Sequence, residues 1–257
     1  MAPGSLGVAP GVERVVLADA DAVARRAAEL VADAARRAAA ERGRFVIALA
    51  GGTTPRIAYE RLAELSPMPW AATHVWFGDE RCVPPDDPDS NYRMAREALL
   101  GRVPIPEAQV TRIEGERAPA DAADRYDALL RGDALAHAGA GGAAFDLVLL
   151  GVGSDGHTAS LFPGGEALGE RARWAVAVPA PEQVAPRVPR VTLTPPALGA
   201  SREVLVLATG AEKRGAVAAA LGGARAGGAG DDVPPAGRVR ALGRTVWLLD
   251  EAAAAGA

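Results

Sequence analysis

The chain has 257 residues, 49% hydrophobic and 23% charged, with a formal net charge of −4 and a pI near 5.5. That is globular composition, long enough for one large or two small domains, and its mild acidity argues against nucleic acid or an anionic membrane as the main partner. A single cysteine, Cys82, excludes an intrachain disulfide and a cysteine-based metal site, and no apolar run nears the roughly 20 residues of a membrane span. No basic-then-apolar leader opens the sequence, so the expected setting is the cytoplasm.

Strand and helix periods alternate along the chain. Residues 1–12 carry no pattern and are expected to be flexible. Val15–Ala18 is a short apolar run, and Asp21–Arg42 has apolar residues at helical spacing and stops at Gly43. Phe45–Ala50 is continuously apolar, as expected of a strand buried on both faces. A Gly-Gly-Thr-Thr-Pro turn leads into a helix over Arg56–Leu65. His74–Phe77 reads as a strand, Gly78–Ser90 as a charged, proline-rich loop, and Asn91–Leu100 as a helix. A weak strand over Gln109–Ile113 and a helix over Ala120–Leu135 follow, then a Gly/Ala loop at Ala136–Ala144. Phe145–Leu150, Trp174–Val178, Arg190–Thr194, Glu203–Ala208 and Thr245–Leu249 read as strands, and Glu212–Leu221 as a helix. Gly222–Asp232 reads as a mobile loop. No fixed-period repeat is present. The alternation predicts one α/β domain over residues 1–257, with a largely parallel sheet between helices.

In such sheets ligands bind outside the carboxyl ends of the strands, which singles out three loops. Gly51-Gly52-Thr53-Thr54-Pro55 joins a strand to a helix. Its glycines allow close backbone approach, its hydroxyls can donate, and a helix N-terminus points at its mouth, as a phosphate site requires. It lacks the lysine of a nucleoside-triphosphate loop. The same residues would equally make a plain tight turn. The second loop carries Asp79, Arg81 and Arg93. The arginines could hold a phosphate or carboxylate bidentately and Asp79 could accept from sugar hydroxyls. Alternatively Ser90 or Asn91 caps a helix and Asp79 pairs with Arg81. The third, Gly151–Gly164, matches a dinucleotide fingerprint formally, but Pro163 stands where that motif's helix should continue. Its Asp155-Gly156-His157 run instead places an imidazole, the usual general base, at a strand's carboxyl end with a carboxylate nearby. His74 reads as structural and His137 as solvated. No histidine cluster suggests a metal, and no nucleophile elbow suggests a serine hydrolase. Of 28 basic residues only Lys213 is lysine. It is either a site that needs a compact ammonium or a survivor on a solvated face.

These residues resemble the 6-phosphogluconolactonase family. The likeness is carried by Gly51–Pro55, by Gly78-Asp79-Glu80-Arg81-x-Val83-Pro84 with Asp87–Met94, by Gly153-x-Asp155–Gly164 and by Arg190–Thr194, in order between residues 13 and 253. Thr53 replaces the family's usual serine and keeps the hydroxyl. The resemblance implies a three-layer α/β/α domain with a modified Rossmann-like sheet, as in glucosamine-6-phosphate deaminase. It implies hydrolysis of 6-phospho-D-glucono-1,5-lactone to 6-phosphogluconate, the second step of the oxidative pentose phosphate pathway, without cofactor or metal, by a monomer or homodimer. The sugar phosphate would be the only partner, with no nucleic acid and no membrane. His157, beside Asp155, would move the proton. The Gly52–Thr54 loop, Arg190 and Lys213 would hold the phosphate, with Arg81 and Arg93 nearby. Lys213 falls on the family's basic position after Thr209-Gly210. Oxyanion donors at C1 stay open among the amides near Gly51–Gly52, those of residues 153–157, and an arginine. The alternatives are a deaminase, disfavoured because no acid follows His157 until Glu166, and a sugar-phosphate sensor, which would need no base.

Overall fold

The computed structural model describes residues 11–137, 143–225 and 233–255. In chain order the strands are β1 (Val12–Leu17), β2 (Phe45–Leu49), β3 (Thr73–Phe77), β4 (Asp79–Arg81), β5 (Phe145–Gly151), β6 (Ala175–Val178), β7 (Arg190–Leu193), β8 (Ser201–Ala208) and β9 (Arg244–Asp250). The helices are α1 (Ala20–Arg42), α2 (Thr53–Glu64), α3 (Asn91–Ala95), α4 (Pro119–His137), α5 (Pro195–Gly199), α6 (Arg214–Arg225), α7 (Pro235–Arg238) and α8 (Glu251–Ala254). Six strands form a parallel sheet in the order β1-β9-β8-β5-β2-β3, with helices on both faces. Burial on both faces is why β2 is apolar throughout, and β5 is apolar from Leu147 to Leu150, with no alternation in either. The core between sheet and helices includes Phe45, Leu147, Leu205 and the fully buried Trp247. No helix among the described residues is long and apolar enough to cross a membrane.

The sequence of α1 explains both its ends and its packing. Asp19 accepts a hydrogen bond from the Ala22 amide at 2.8 Å, and Gly43 closes the helix in the left-handed region, its N–H donating to the Ala39 carbonyl. Its buried face sets Ala24, Ala27, Ala28 and Ala35 beside Val23, Leu30 and Val31, the alanines letting the helix lie close to its neighbours.

The chain crosses from β2 outward to β3, then returns to place β5 on the other side of β2, and continues to β8 and β9. The direction of winding therefore reverses between β2 and β5. At such a point the loops leaving two adjacent strands diverge and open a crevice. Gly51 and Gly151 flank it: a β-carbon on Gly151 would lie 3.8 Å from the Gly51 carbonyl oxygen.

Several elements differ from the sequence reading. Gly11 and Val12 are ordered, and Val12 pairs with Thr245, so β1 begins before the apolar run. Residues 1–10 lie outside the described part. α2 starts at Thr53, three residues earlier than its apolar period suggests. The Asn91–Leu100 helix changes to a π-helical turn over Arg96–Leu100. Gln109–Ile113 forms only one bridge, Val110 to Val75. α4 extends through Ala136 and His137, expected as loop, and α6 extends to Arg225, through the start of the expected Gly222–Asp232 loop; residues 138–142 and 226–232 lie outside the described part. The charged segment Asp79–Arg81 is not loop but strand. It joins β7 and β6 in a separate three-stranded antiparallel sheet.

Candidate active site

A cavity of about 580 Å³ opens at the carboxyl edge of the parallel sheet. Its wall includes Gly51–Thr54 after β2, Gly153 and His157 after β5, Thr209, Gly210 and Lys213 after β8, and Asp250 at the end of β9. Asp79, Arg81 and Arg190 enter from the small sheet.

α2 begins at the mouth of this cavity without a side-chain cap. Its first intrahelical bond runs from the Arg56 N–H to the Gly52 carbonyl at 3.1 Å, so the first-turn amides remain for a ligand. Gly51 must be glycine, because a β-carbon there would overlap the Asn91 amide. The Thr54 and Thr209 hydroxyls hydrogen-bond at 2.8 Å and tie this loop to the one after β8. That second loop is held by Asp250, whose two oxygens accept from the Gly210 N–H at 3.1 and 2.9 Å while it caps α8 through Ala253.

The loop after β5 presents His157. Its Nδ1 lies 2.6 Å from the Asp155 carboxylate, which also accepts the His157 backbone N–H at 3.1 Å. A carboxylate at Nδ1 fixes that nitrogen as the N–H donor and leaves Nε2 as the proton acceptor. Burial acts to raise the Asp155 pKa, but the hydrogen bond and charge of His157, with backbone amides, bring it below the ordinary carboxylate value. The loop is anchored by three hydroxyls: Thr158 donates to the Gly151 carbonyl, Ser160 donates to Asp79 at 2.7 Å, and the Ser160 N–H donates to Thr192.

The small sheet supplies the positive charge. Its register sets Arg81 directly opposite Arg190. Like charges in such a pair repel unless something neutralises them. Neither guanidinium has a carboxylate within salt-bridge distance among the described residues, and the Nε of each is buried without a hydrogen-bond partner. Arg81 donates to the Asp89 carbonyl and Arg190 to the Pro186 carbonyl. Arg190 is only 2% exposed. Burial pulls its pKa below the ordinary guanidinium value, and the charge of Arg81 adds to this against the opposing pull of Asp79. Lys213, half-buried, likewise has no ion pair among the described residues. Two guanidinium groups and an ammonium thus line one cavity, none of them in an ion pair among the described residues, although Asp79, Glu212 and Asp250 also reach its wall.

The structure brings together Gly51, Gly52, Thr53, Thr54, Asp79, Arg81, His157, Arg190 and Lys213. Asp155 sits behind His157 and does not line this cavity. Arg93 is a correction: its exposed side chain donates to Glu97 and to the Asp86 carbonyl, away from the cavity. Its tie to the proline loop fixes that loop on α3. Asp79 does not pair with Arg81; its oxygens accept from Asn91 and Ser160. Ser90 caps α3, accepting from the Arg93 N–H. Glu80, adjacent, is a buried anchor that accepts from the N–H groups of Arg81, Asn91 and Tyr92 and from the Ser90 hydroxyl. Burial and the nearby Asp79 raise its pKa despite those amides. Sequence reasoning missed Thr209, Asp250 and the lip formed by Val184 and Ala185. Asp250 carried a usable signal, a charge directly after an apolar strand. Val184 and Ala185 carried none. Among the described residues no three His, Cys, Asp or Glu side chains group as metal ligands.

The chain is 41% identical over 247 residues to a 6-phosphogluconolactonase from Synechocystis sp., covering 96% of this chain and 98% of that one. It superposes on the 6-phosphogluconolactonase of Trypanosoma brucei with a TM-score of 0.82 at 33% identity, covering 97% of this chain and 99% of that one. A monomeric glucosamine-6-phosphate deaminase gives a TM-score of 0.78 at 21% identity, over 95% and 100% of the two chains, a likeness of fold alone. Residues 18–247 match the family described as glucosamine-6-phosphate isomerases/6-phosphogluconolactonase. This chain therefore belongs to the glucosamine-6-phosphate isomerase/6-phosphogluconolactonase family.

Proposed function

We propose that this protein hydrolyses 6-phospho-D-glucono-1,5-lactone to 6-phospho-D-gluconate, as part of the oxidative pentose phosphate pathway, with His157 as the base. The observation that carries this reading is the pairing of an Asp155-oriented imidazole with two facing guanidinium groups, Arg81 and the buried Arg190, neither of them in a salt bridge among the described residues, in one cavity. The guanidinium groups and Lys213 would take the phosphate, with the uncapped first turn of α2 contributing amides. His157 Nε2 would accept a proton from water as the water oxygen attacks the lactone carbonyl carbon. Collapse of the tetrahedral intermediate breaks the bond from that carbon to the ring oxygen. The imidazolium then returns its proton to the departing oxygen. The product is an acid, which ionises and releases one proton. No cofactor enters the scheme, because an ester carbonyl is already electrophilic.

Proton release from freshly prepared lactone, measured above the spontaneous background in a pH-stat, tests the reading. Charge-assisted contacts to phosphate are worth about 1.5–3 kcal/mol each. kcat/KM for unphosphorylated gluconolactone should therefore be at least about 100-fold lower. No acceleration of the phosphorylated lactone, or equal turnover of both, contradicts it.

A further inference from the structure

Phe162 touches a side chain at each functional end of the cavity without lining it. Its ring centroid lies 4.8 Å from that of His157, tilted by 45°, and the Arg190 guanidinium carbon lies 5.5 Å from it on its face. Both distances fall in the range of aromatic and cation–π contact. Each neighbour is otherwise sparsely held. The His157 ring is fixed at one nitrogen by Asp155, an exposed side chain two residues away. Among the described residues the Arg190 side chain makes one hydrogen bond, to the Pro186 carbonyl at 3.1 Å, and its Nε has none. A rigid ring that touches both leaves neither free to rotate independently of the other. Phe162 also lines a second cavity, of about 1200 Å³, which lies behind the His157 loop and includes Asp155, Ser160 and Val178 in its wall. The ring therefore separates the base from a second solvent-accessible space.

We propose that Phe162 is a positioning residue that holds His157 and Arg190 in one stack, so that the base and the anion-binding guanidinium keep a fixed mutual placement. This rests on the lactonase reading for the choice of substrate, while the stack itself is independent of it. Losing the ring should disturb both ends at once. Phe162→Leu keeps apolar bulk and removes the ring. It should lower kcat for the phosphorylated lactone about tenfold and raise its KM about tenfold, since small misplacements of catalytic and binding groups have effects of that order. With unphosphorylated gluconolactone only kcat should fall, because no phosphate meets Arg190. Phe162→Tyr, which keeps the ring, should recover most of both parameters. Phe162→Met serves the same comparison if the leucine variant melts early.

Two measurements separate failure of this inference from failure of the lactonase reading. The first is the ring-current shift of the His157 Hε1 proton by NMR, which should disappear in Phe162→Leu. The second is the affinity for inorganic phosphate by calorimetry, which should weaken about tenfold. If wild type turns over no lactone, the functional reading fails and these two arms still decide the role of Phe162. Phosphate affinity and His157 shift both unchanged in Phe162→Leu would overturn it. So would a kcat loss that merely tracks the unfolded fraction, with KM unchanged.

Discussion

Arg190 is costly where it stands. A guanidinium that is 2% exposed, faces Arg81 across a strand pair and has no salt bridge among the described residues pays desolvation without an ion pair in return. Stability alone would favour an apolar side chain of the same length. Arg190→Met is therefore expected to change stability by less than about 1 kcal/mol. It should raise KM for the phosphorylated lactone roughly 10–100-fold, the loss of one charge-assisted contact. Thermal melting beside steady-state kinetics checks both. A large fall in Tm with unchanged KM would make Arg190 a structural residue. Arg190 was legible as a candidate only through the family resemblance, one of whose motifs, Arg190–Thr194, it opens. Its lack of a salt bridge among the described residues was not, since that depends on the register of β4 against β7. The same limit explains Arg93, which the sequence offers beside Arg81 as a candidate anion ligand. Only the turn through Pro84–Ser90 sends it outward to Glu97.

The elements matter through how their ends are fixed. Tyr59 of α2 lies fully buried, and its hydroxyl bonds both the N–H and the carbonyl of Ala50 at 2.8 Å, just beyond β2. Tyr126 of α4 does the same for Phe77, at 2.7 and 3.0 Å, at the end of β3. Each tyrosine supplies the polar partners that a neighbouring strand would otherwise give, and so lets the backbone turn away into the site. Tyr59→Phe would strand two buried backbone groups and should cost about 1–3 kcal/mol. A Tm within 1 °C of wild type would refute the latch, given about 2–4 °C per kcal/mol for a chain of this size. Gly153 acts on the other loop. A β-carbon there would collide with the His157 ring and the Asp155 carboxylate, both movable side-chain ends. Gly153→Ala should thus leave the fold intact and lower kcat about 100-fold by displacing the pair. Full activity with an alanine at 153 would show that the pair's position is unimportant. The buried strands were readable as continuous apolar runs, and the loops as glycine and polar residues placed directly after them. β4 was not readable. Three charged residues have no strand pattern of their own, and Asp79–Arg81 is extended because β7 pairs with it.

For the molecule as a whole, the reversal of winding between β2 and β5 decides where chemistry can occur. It separates the Gly51–Thr54 and Gly153–His157 loops, while the small antiparallel sheet swings Arg81 and Arg190 over the gap. The α/β class and parallel sheet followed from the alternation of periods. The second sheet did not, because β6 and β7 carry the same apolar signature as strands of the first. The winding order was also hidden, as it depends on which strands pair and not on local pattern. In the proposed function this gap holds a sugar phosphate lactone against the Nε2 of His157. The most direct measurement is steady-state kinetics of His157→Asn on the phosphorylated lactone, corrected for spontaneous hydrolysis. Asparagine keeps a hydrogen bond but cannot take the proton. The expected result is a fall in kcat of roughly 10²–10⁴-fold with KM near that of wild type. A kcat within tenfold of wild type would contradict the assignment of His157 as the base.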